Sequence, residues 1–262
     1  MADFPLTVSH VSVYFGGYQA LKDVSFQVSL GKILGIAGPN GSGKTTLLRT
    51  MFGAQPVAEG EIKLSGKPIA QLKTSQVGRE LSVVAQFEHN IARMRVLDLV
   101  LLGRSPHRKD IQGFSRNDQE IAENVLAQVG MDTFKHRYFD TLSGGERQRV
   151  LIARGLAQAC PCMLLDEPTN HLDIKYQHQI LALLRNVIST GVIILHDLNL
   201  VSRYCDEVIV LSNGEIACRG HPQEVLTTRM VKETYGVDAI ETHDEGVKQF
   251  IFRGEVSAAR HM

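Results

Sequence analysis

The hydrophobic positions of this chain change period several times along its length. Residues 6–13 alternate loosely, and Val24, Phe26 and Val28 alternate with Ser25, Gln27 and Ser29. Both patterns predict strands with one buried face. Residues 33–37 (Ile-Leu-Gly-Ile-Ala) form a short apolar run that stops at a glycine-rich loop, and residues 45–52 then read as a helix. Residues 81–85 predict a buried strand ending at Gln86. From about 96 to 159 the pattern is helical. Ser115 and Asp118 form a capping box for a helix that stops at Gly130, and Ser143 with Glu146 opens another over 146–158. Apolar runs at 163–165 and 192–195 predict two further strands, separated by a helix over 174–188. Residues 208–211 and 215–218 flank Ser212-Asn213-Gly214, a hairpin signal. A helix with Pro222 in its first turn, a helix over 228–235 and a strand over 247–252 close the pattern.

Buried strands alternating with helices imply an α/β fold whose core sheet is mostly parallel and covered on both faces. The block over about 87–158 breaks the alternation and reads as a helical insertion.

Composition narrows the partners. Among 262 residues, 28 basic side chains balance 28 acidic ones, so no global field favours nucleic acid or anionic lipid. No apolar run approaches the ~18 residues a membrane helix needs, and Met1 to Leu6 has no apolar signal-peptide core. Cys160 and Cys162 have one residue between them, too few for a zinc knuckle or a redox pair; with Cys205 and Cys218 they read as free thiols in a reducing compartment.

The chemistry begins at Gly38-Pro39-Asn40-Gly41-Ser42-Gly43-Lys44-Thr45, which fits G-x-x-x-x-G-K-[ST] between a predicted strand and a predicted helix. Glycines let backbone wrap a phosphate, and the helix start offers unpaired N–H groups to an anion. Lys44 reaches β- and γ-phosphates, and the Thr45 hydroxyl suits Mg²⁺, a hard cation. Asp166 ends an apolar strand, where a carboxylate can hold Mg²⁺ directly or through water; Glu167 beside it is placed to polarise an attacking water. Ser143 with Gly144 and Gly145 makes a second anion-facing helix start with unhindered backbone.

These motifs in this order resemble the nucleotide-binding subunit of ATP-binding cassette (ABC) transporters, over about residues 6 to 235. The resemblance implies a P-loop nucleotide-binding domain over 1–236, with an antiparallel β subdomain and a helical subdomain inserted at about 87–158. The tail at 237–262 is expected to pack on the body or to be partly disordered. It implies a head-to-tail dimer of two copies around two MgATP, so that Leu142-Ser143-Gly144-Gly145-Glu146 of one copy closes over nucleotide held by the other. On the same footing Phe15 is the aromatic that stacks on adenine, with Tyr14 one residue away as the alternative. Gly38, Asn40, Gly41, Ser42, Gly43, Lys44, Thr45 and Thr46 hold the phosphates, and Thr45, Gln86 and Asp166 face the metal. Gln86 senses the γ-phosphate, Asp173 lies in the segment 170–173 that crosses the dimer interface, and His196 is the switch histidine. Glu167, His196, Gln86 and Lys44 are the expected catalytic set.

The segments 102–107 (Leu-Gly-Arg-Ser-Pro-His), 170–174 and 196–200 look like those of ATPases serving haem, iron-siderophore and cobalamin importers. This implies a motor at the cytoplasmic face of the inner membrane, held there by permease subunits that dock near residues 87–95 and served indirectly by a substrate-binding protein. Nucleic acid is not expected. The segment 87–94 is less typical of those groups, so the cargo stays open. A soluble ABC ATPase acting on ribosomes or DNA fits less well, because the chain has one cassette and no long coiled coil. An assembly partner without turnover fits poorly with Lys44, Asp166, Glu167 and His196 all present.

Overall fold

The computed structural model describes residues 4–85, 93–108 and 113–253. Gln86 and the 87–92 part of the expected docking segment lie outside the described residues.

The first half builds two sheets. β1 (Leu6–Phe15) and β2 (Tyr18–Val28) form a hairpin, and β1 pairs on its other edge with β4 (Glu59–Leu64), which carries the short β5 (Lys67–Pro68). All four strands are antiparallel, in the order β2-β1-β4-β5. Between them in sequence, β3 (Ile33–Ala37) enters a different sheet and is followed by helix α1 (Lys44–Met51). Helix α2 (Thr74–Glu80) leads into β6 (Leu81–Val84).

The helical block contains α3 (Val96–Leu101), a 3₁₀ segment Leu102–His107, α4 (Arg116–Gln128) and α5 (Gly144–Ala157). Both capping boxes form, Ser115 with Asp118 and Ser143 with Glu146. Helix α5 starts two residues earlier than the sequence suggests, because Ser143 is its N-cap and both glycines already lie in its first turn.

Strand β7 (Cys162–Asp166), helix α6 (Ile174–Val187), β8 (Gly191–Ile194), α7 (Leu198–Tyr204), β9 (Glu207–Ser212) and β10 (Glu215–Gly220) complete a six-stranded sheet in the order β10-β9-β3-β8-β7-β6. Every pairing in it is parallel except the β9–β10 hairpin. Period-2 geometry divides the core between its two faces. Leu34, Ile36, Leu164, Val192 and Ile194 face the antiparallel sheet and Leu47, Leu48 and Met51 of α1. Ile33, Leu165, Ile193, Val208 and Val210 face the helices α3 to α7.

The chain continues through α8 (Pro222–Val225) and α9 (Thr228–Tyr235) to a hairpin of β11 (Asp238–Asp244) and β12 (Val247–Arg253). The described part of the tail packs on the body, with Phe250 buried in the helical core. β4, α2, α7 and β11 have no counterpart in the sequence pattern. β11 is exposed along almost its whole length, and so it lacks the buried alternation that marks a strand.

Candidate nucleotide site

Three neighbouring parallel strands deliver the site. β3, β8 and β7 are adjacent, with Ile36 opposite Ile194 and Ile194 opposite Asp166. The loop after Ala37, Glu167 after Asp166, and His196 two residues past Ile194 therefore emerge at one carboxyl edge, where open α/β sheets bind their ligands. A cavity of about 330 Å³ opens there, lined by Asn40, Gly41, Ser42, Gly43, Lys44, Thr45, Thr46, Glu167 and His196, with Phe15, Tyr18 and Ala20 along one side.

The loop is shaped for an anion. Gly41 has φ +78° and open space where a Cβ would stand, and Gly43 has φ +103° and serves as the N-cap of α1. No side chain caps that helix, so its first N–H groups are left to a ligand. Lys44 is buried, and its ammonium donates to the Gly38 and Pro39 carbonyls at 2.8 and 2.9 Å. Burial lowers its pKa, and the carboxylates of Glu167 and Asp166 partly restore it.

The acidic side is arranged for a cation. Oδ1 of Asp166 is buried without a hydrogen-bond partner. Burial, then repulsion from Glu167, raises the Asp166 pKa, against the pull of Arg49, His196 and Lys44. An orphaned carboxylate oxygen in this position would suit a hard divalent cation such as Mg²⁺. Among the described residues no group of three or more His, Cys, Asp or Glu side chains can hold a metal by itself, so such an ion would need ligand oxygens as well.

Glu167 adopts left-handed backbone, φ +49°, a conformation that costs energy for a residue with a Cβ and is held by its surroundings. Its Oε1 is hydrogen-bonded to His196 Nε2, and its Oε2 accepts from Asn170 Nδ2 at 3.0 Å. The carboxylate is thus held from both sides while its side chain stays only 13% exposed.

The expected aromatic wall has two members. Phe15 lines the cavity and Tyr14 does not, and Tyr18, which the sequence reading did not single out, lines it beside Phe15. The two rings are cross-strand partners around the Gly16-Gly17 turn, and both are substantially exposed. Aromatics on either side of a two-glycine hairpin turn are the signal that could have found Tyr18. Asn170, which steadies Glu167, was read only as part of the segment 170–173.

Ser143, Gly144, Gly145 and Asp173 do not line this cavity. The Ser143 hydroxyl donates to Glu146 Oε2 at 2.7 Å, and the same oxygen accepts from Ser143 N at 2.8 Å. A Cβ on Gly144 would meet only Leu172 Cδ2 at an ordinary 3.7 Å, but Gly145 is not unhindered: a Cβ there would stand 3.1 Å from the ring of Tyr176 in α6. Asp173 is exposed and caps α6 through Tyr176 N at 2.9 Å.

A phosphate-binding loop at the carboxyl edge of a parallel sheet, facing an acidic strand end and a Glu–His pair, defines a P-loop nucleotide-hydrolysing protein. Residues 21–170 match the ABC transporter family. The chain is 34% identical to the petrobactin import ATP-binding protein of Bacillus anthracis over 83% of its length and 82% of that protein's. It is 35% identical to the hemin import ATP-binding protein of Gloeobacter violaceus, covering 90% of this chain and 88% of that one. A solved metal-chelate type ABC transporter in an inward-facing conformation superposes with a TM-score of 0.83 at 26% identity, over 96% of this chain and 98% of that one. The ADP conformation of an ATP-binding cassette of an ABC transporter superposes with a TM-score of 0.79 at 28% identity, over 88% and 98%. The chain belongs to the ABC transporter family, and it is an ATPase subunit of that family.

Proposed function

We propose that the chain binds MgATP in the cavity at the edge of β3, β8 and β7 and hydrolyses it to drive import of a metal-chelate-type cargo through separate membrane subunits. The observation that carries this reading is the Glu167–His196 pair held inside the phosphate-loop cavity. Import and cargo class rest on the similarity to the petrobactin and hemin import proteins.

In this reading Phe15 and Tyr18 stack on the adenine, and the N–H groups from Gly41 to Thr46 and the Lys44 ammonium hold the phosphates. Substrate phosphate displaces the Gly38 and Pro39 carbonyls from Lys44. Thr45 and Asp166, with Gln86, would hold Mg²⁺, which neutralises charge on the β- and γ-phosphate oxygens. Glu167 accepts a proton from water as the water oxygen bonds to the γ-phosphorus and the bond to the bridging oxygen breaks, giving ADP and phosphate. His196 stabilises charge on the γ-phosphate and keeps Glu167 aimed at the water.

The absence of Ser143, Gly145 and Asp173 from the cavity is what a site completed by a second copy requires. There the Ser143 hydroxyl and α5 amides of one copy cover the nucleotide of the other. Among the described residues no helix is long and apolar enough to cross a membrane. On the similarity to the import ATP-binding proteins we place the motor at the cytoplasmic face, held by permease subunits. We assign 1–236 to the ATPase domain, with the helical subdomain inserted at about 87–158 and 237–262 as a tail.

Two measurements test this. Glu167→Gln is expected to lower turnover at least ~100-fold while ATP still binds, as loss of a positioned base does; turnover at the wild-type rate removes the catalytic assignment. ATP turnover with the permease in lipid should rise when a binding protein loaded with haem, siderophore or cobalamin is added. Permease association without stimulation by any of them removes the cargo class, and no association at all favours a soluble ATPase.

A further inference from the structure

His196 sits between two supports of different kind. Behind it, Leu195 N donates to Ile36 O at 3.1 Å, which ties the end of β8 to the sheet. Ahead of it, Asp197 caps α7 by accepting from Asn199 N at 2.7 Å and Leu200 N at 3.4 Å. Helix α7 has only seven residues, too few to hold its own orientation. Its apolar face, Leu198, Leu200 and Val201, is buried in the core.

The polar face of α7 is bonded to the tail. The Asn199 side-chain amide meets one residue of β12 as a neighbouring strand would: Oδ1 accepts from Phe250 N at 2.7 Å, and Nδ2 donates to Phe250 O at 3.1 Å. Ser202 Oγ donates to Lys248 O at 2.7 Å. Lys248 N donates to Gln223 Oε1 at 2.7 Å, and Gln223 Nε2 returns to Ser202 Oγ at 3.0 Å. Arg203 pairs with Asp244 at the hairpin turn. Alternate residues of the inner edge of β12 are therefore satisfied by α7 and α8, while its outer edge pairs with β11.

We propose that Asn199 is a positioning residue for His196, and that the C-terminal hairpin is the brace through which it acts. The first turn of α7 is clamped between the core and Phe250, which sets where the preceding residue stands relative to Glu167. The hairpin makes no contact with the cavity, so its influence falls on the hydrolytic step and leaves nucleotide affinity alone. This inference rests on the role given above to His196.

The test uses the full-length chain co-purified with its permease subunits, with kcat and KM for ATP measured on folded protein. Asn199→Leu keeps size but neither donates nor accepts. It is expected to lower kcat about tenfold with KM changed less than about twofold, the scale on which sub-ångström misplacement acts. Asn199→Asp keeps the acceptor for Phe250 N and should fall between it and wild type. The milder Ser202→Ala should lower kcat about twofold to threefold, and serves if Asn199→Leu does not fold. His196→Ala combined with Asn199→Leu should be no slower than His196→Ala alone, because a residue acting only through His196 has nothing further to lose. Multiplicative loss in the double variant, or wild-type kcat in Asn199→Leu, overturns the positioning role while the His196 reading stands. Wild-type turnover in His196→Ala overturns both.

Discussion

The two glycine-rich helix starts of this chain look alike in sequence and are built differently. The start of α1 is opened by Gly43 in left-handed backbone, with no side-chain cap. The start of α5 is closed by its own capping box, with Ser143 and Glu146 satisfying each other's donors. The first leaves its opening N–H groups uncapped and lining the cavity of its own chain. The second is stable without a ligand and away from the cavity, so binding phosphate there needs Ser143 to exchange its Glu146 partner for one supplied by another molecule. An uncapped helix N-terminus therefore offers an anion site at once, whereas a capped one must first exchange its cap.

The largest effect that would break this comparison concerns Lys44. Lys44→Ala should lower ATP affinity or turnover at least ~100-fold, the scale of losing one preorganised donor to developing charge. Isothermal titration and steady-state rates check it, and a small effect would mean the phosphates do not lie in this loop.

A smaller effect is expected at α5. Gly145→Ala drives a Cβ toward the Tyr176 ring at 3.1 Å and should cost about 1 kcal/mol of stability, the lower range for overpacking. The double variant with Tyr176→Ala should recover part of it in thermal melts, leaving ATP binding by the single chain unchanged.

The smallest effects sharpen the role of the caps. Ser143 lowers the Glu146 pKa by hydrogen bonding, and Ser115 with Arg104 lowers that of Asp118 to about 2 from 3.8. A depressed carboxyl contributes stability that is present above its ordinary pKa and lost as pH falls through the folded one. For Asp118 the window runs from 3.8 down to about 2. Asp118→Asn and Glu146→Gln should each destabilise by about 1 kcal/mol at pH 7, a capping-scale effect discounted for solvent screening. For Asp118→Asn the difference from wild type should vanish near pH 2 in denaturant titrations. Equal differences at both pH values would assign the loss to packing instead.

Much of this architecture was legible from local pattern. The strand before the loop, the two capping boxes, the acidic strand end at Asp166-Glu167 and the β9–β10 hairpin are all short-range signals, set by periodicity and turn chemistry within a few residues. β4 and α7 were not legible because each is stabilised by partners far along the chain, and β11 because its exposed residues show no buried alternation. β4 pairs with β1, β11 pairs only with β12, and α7 is held by Phe250 and Lys248. Tyr18 was missed for a related reason: an exposed tyrosine has no local meaning until the hairpin sets it beside Phe15.

By itself, then, the order of residues marked a phosphate-loop pattern at 38–45 and an acidic strand end at Asp166-Glu167, while the role expected of His196 came from the family resemblance. Only the tertiary structure decided which of them meet. The strand order β3-β8-β7 brings Lys44, Glu167 and His196 to one edge although Lys44 and His196 lie 152 positions apart in the sequence. The same packing leaves Ser143 and Asp173 outside that cavity and sets the tail against α7. Proximity across a sheet depends on pairing between distant strands, which no local pattern encodes.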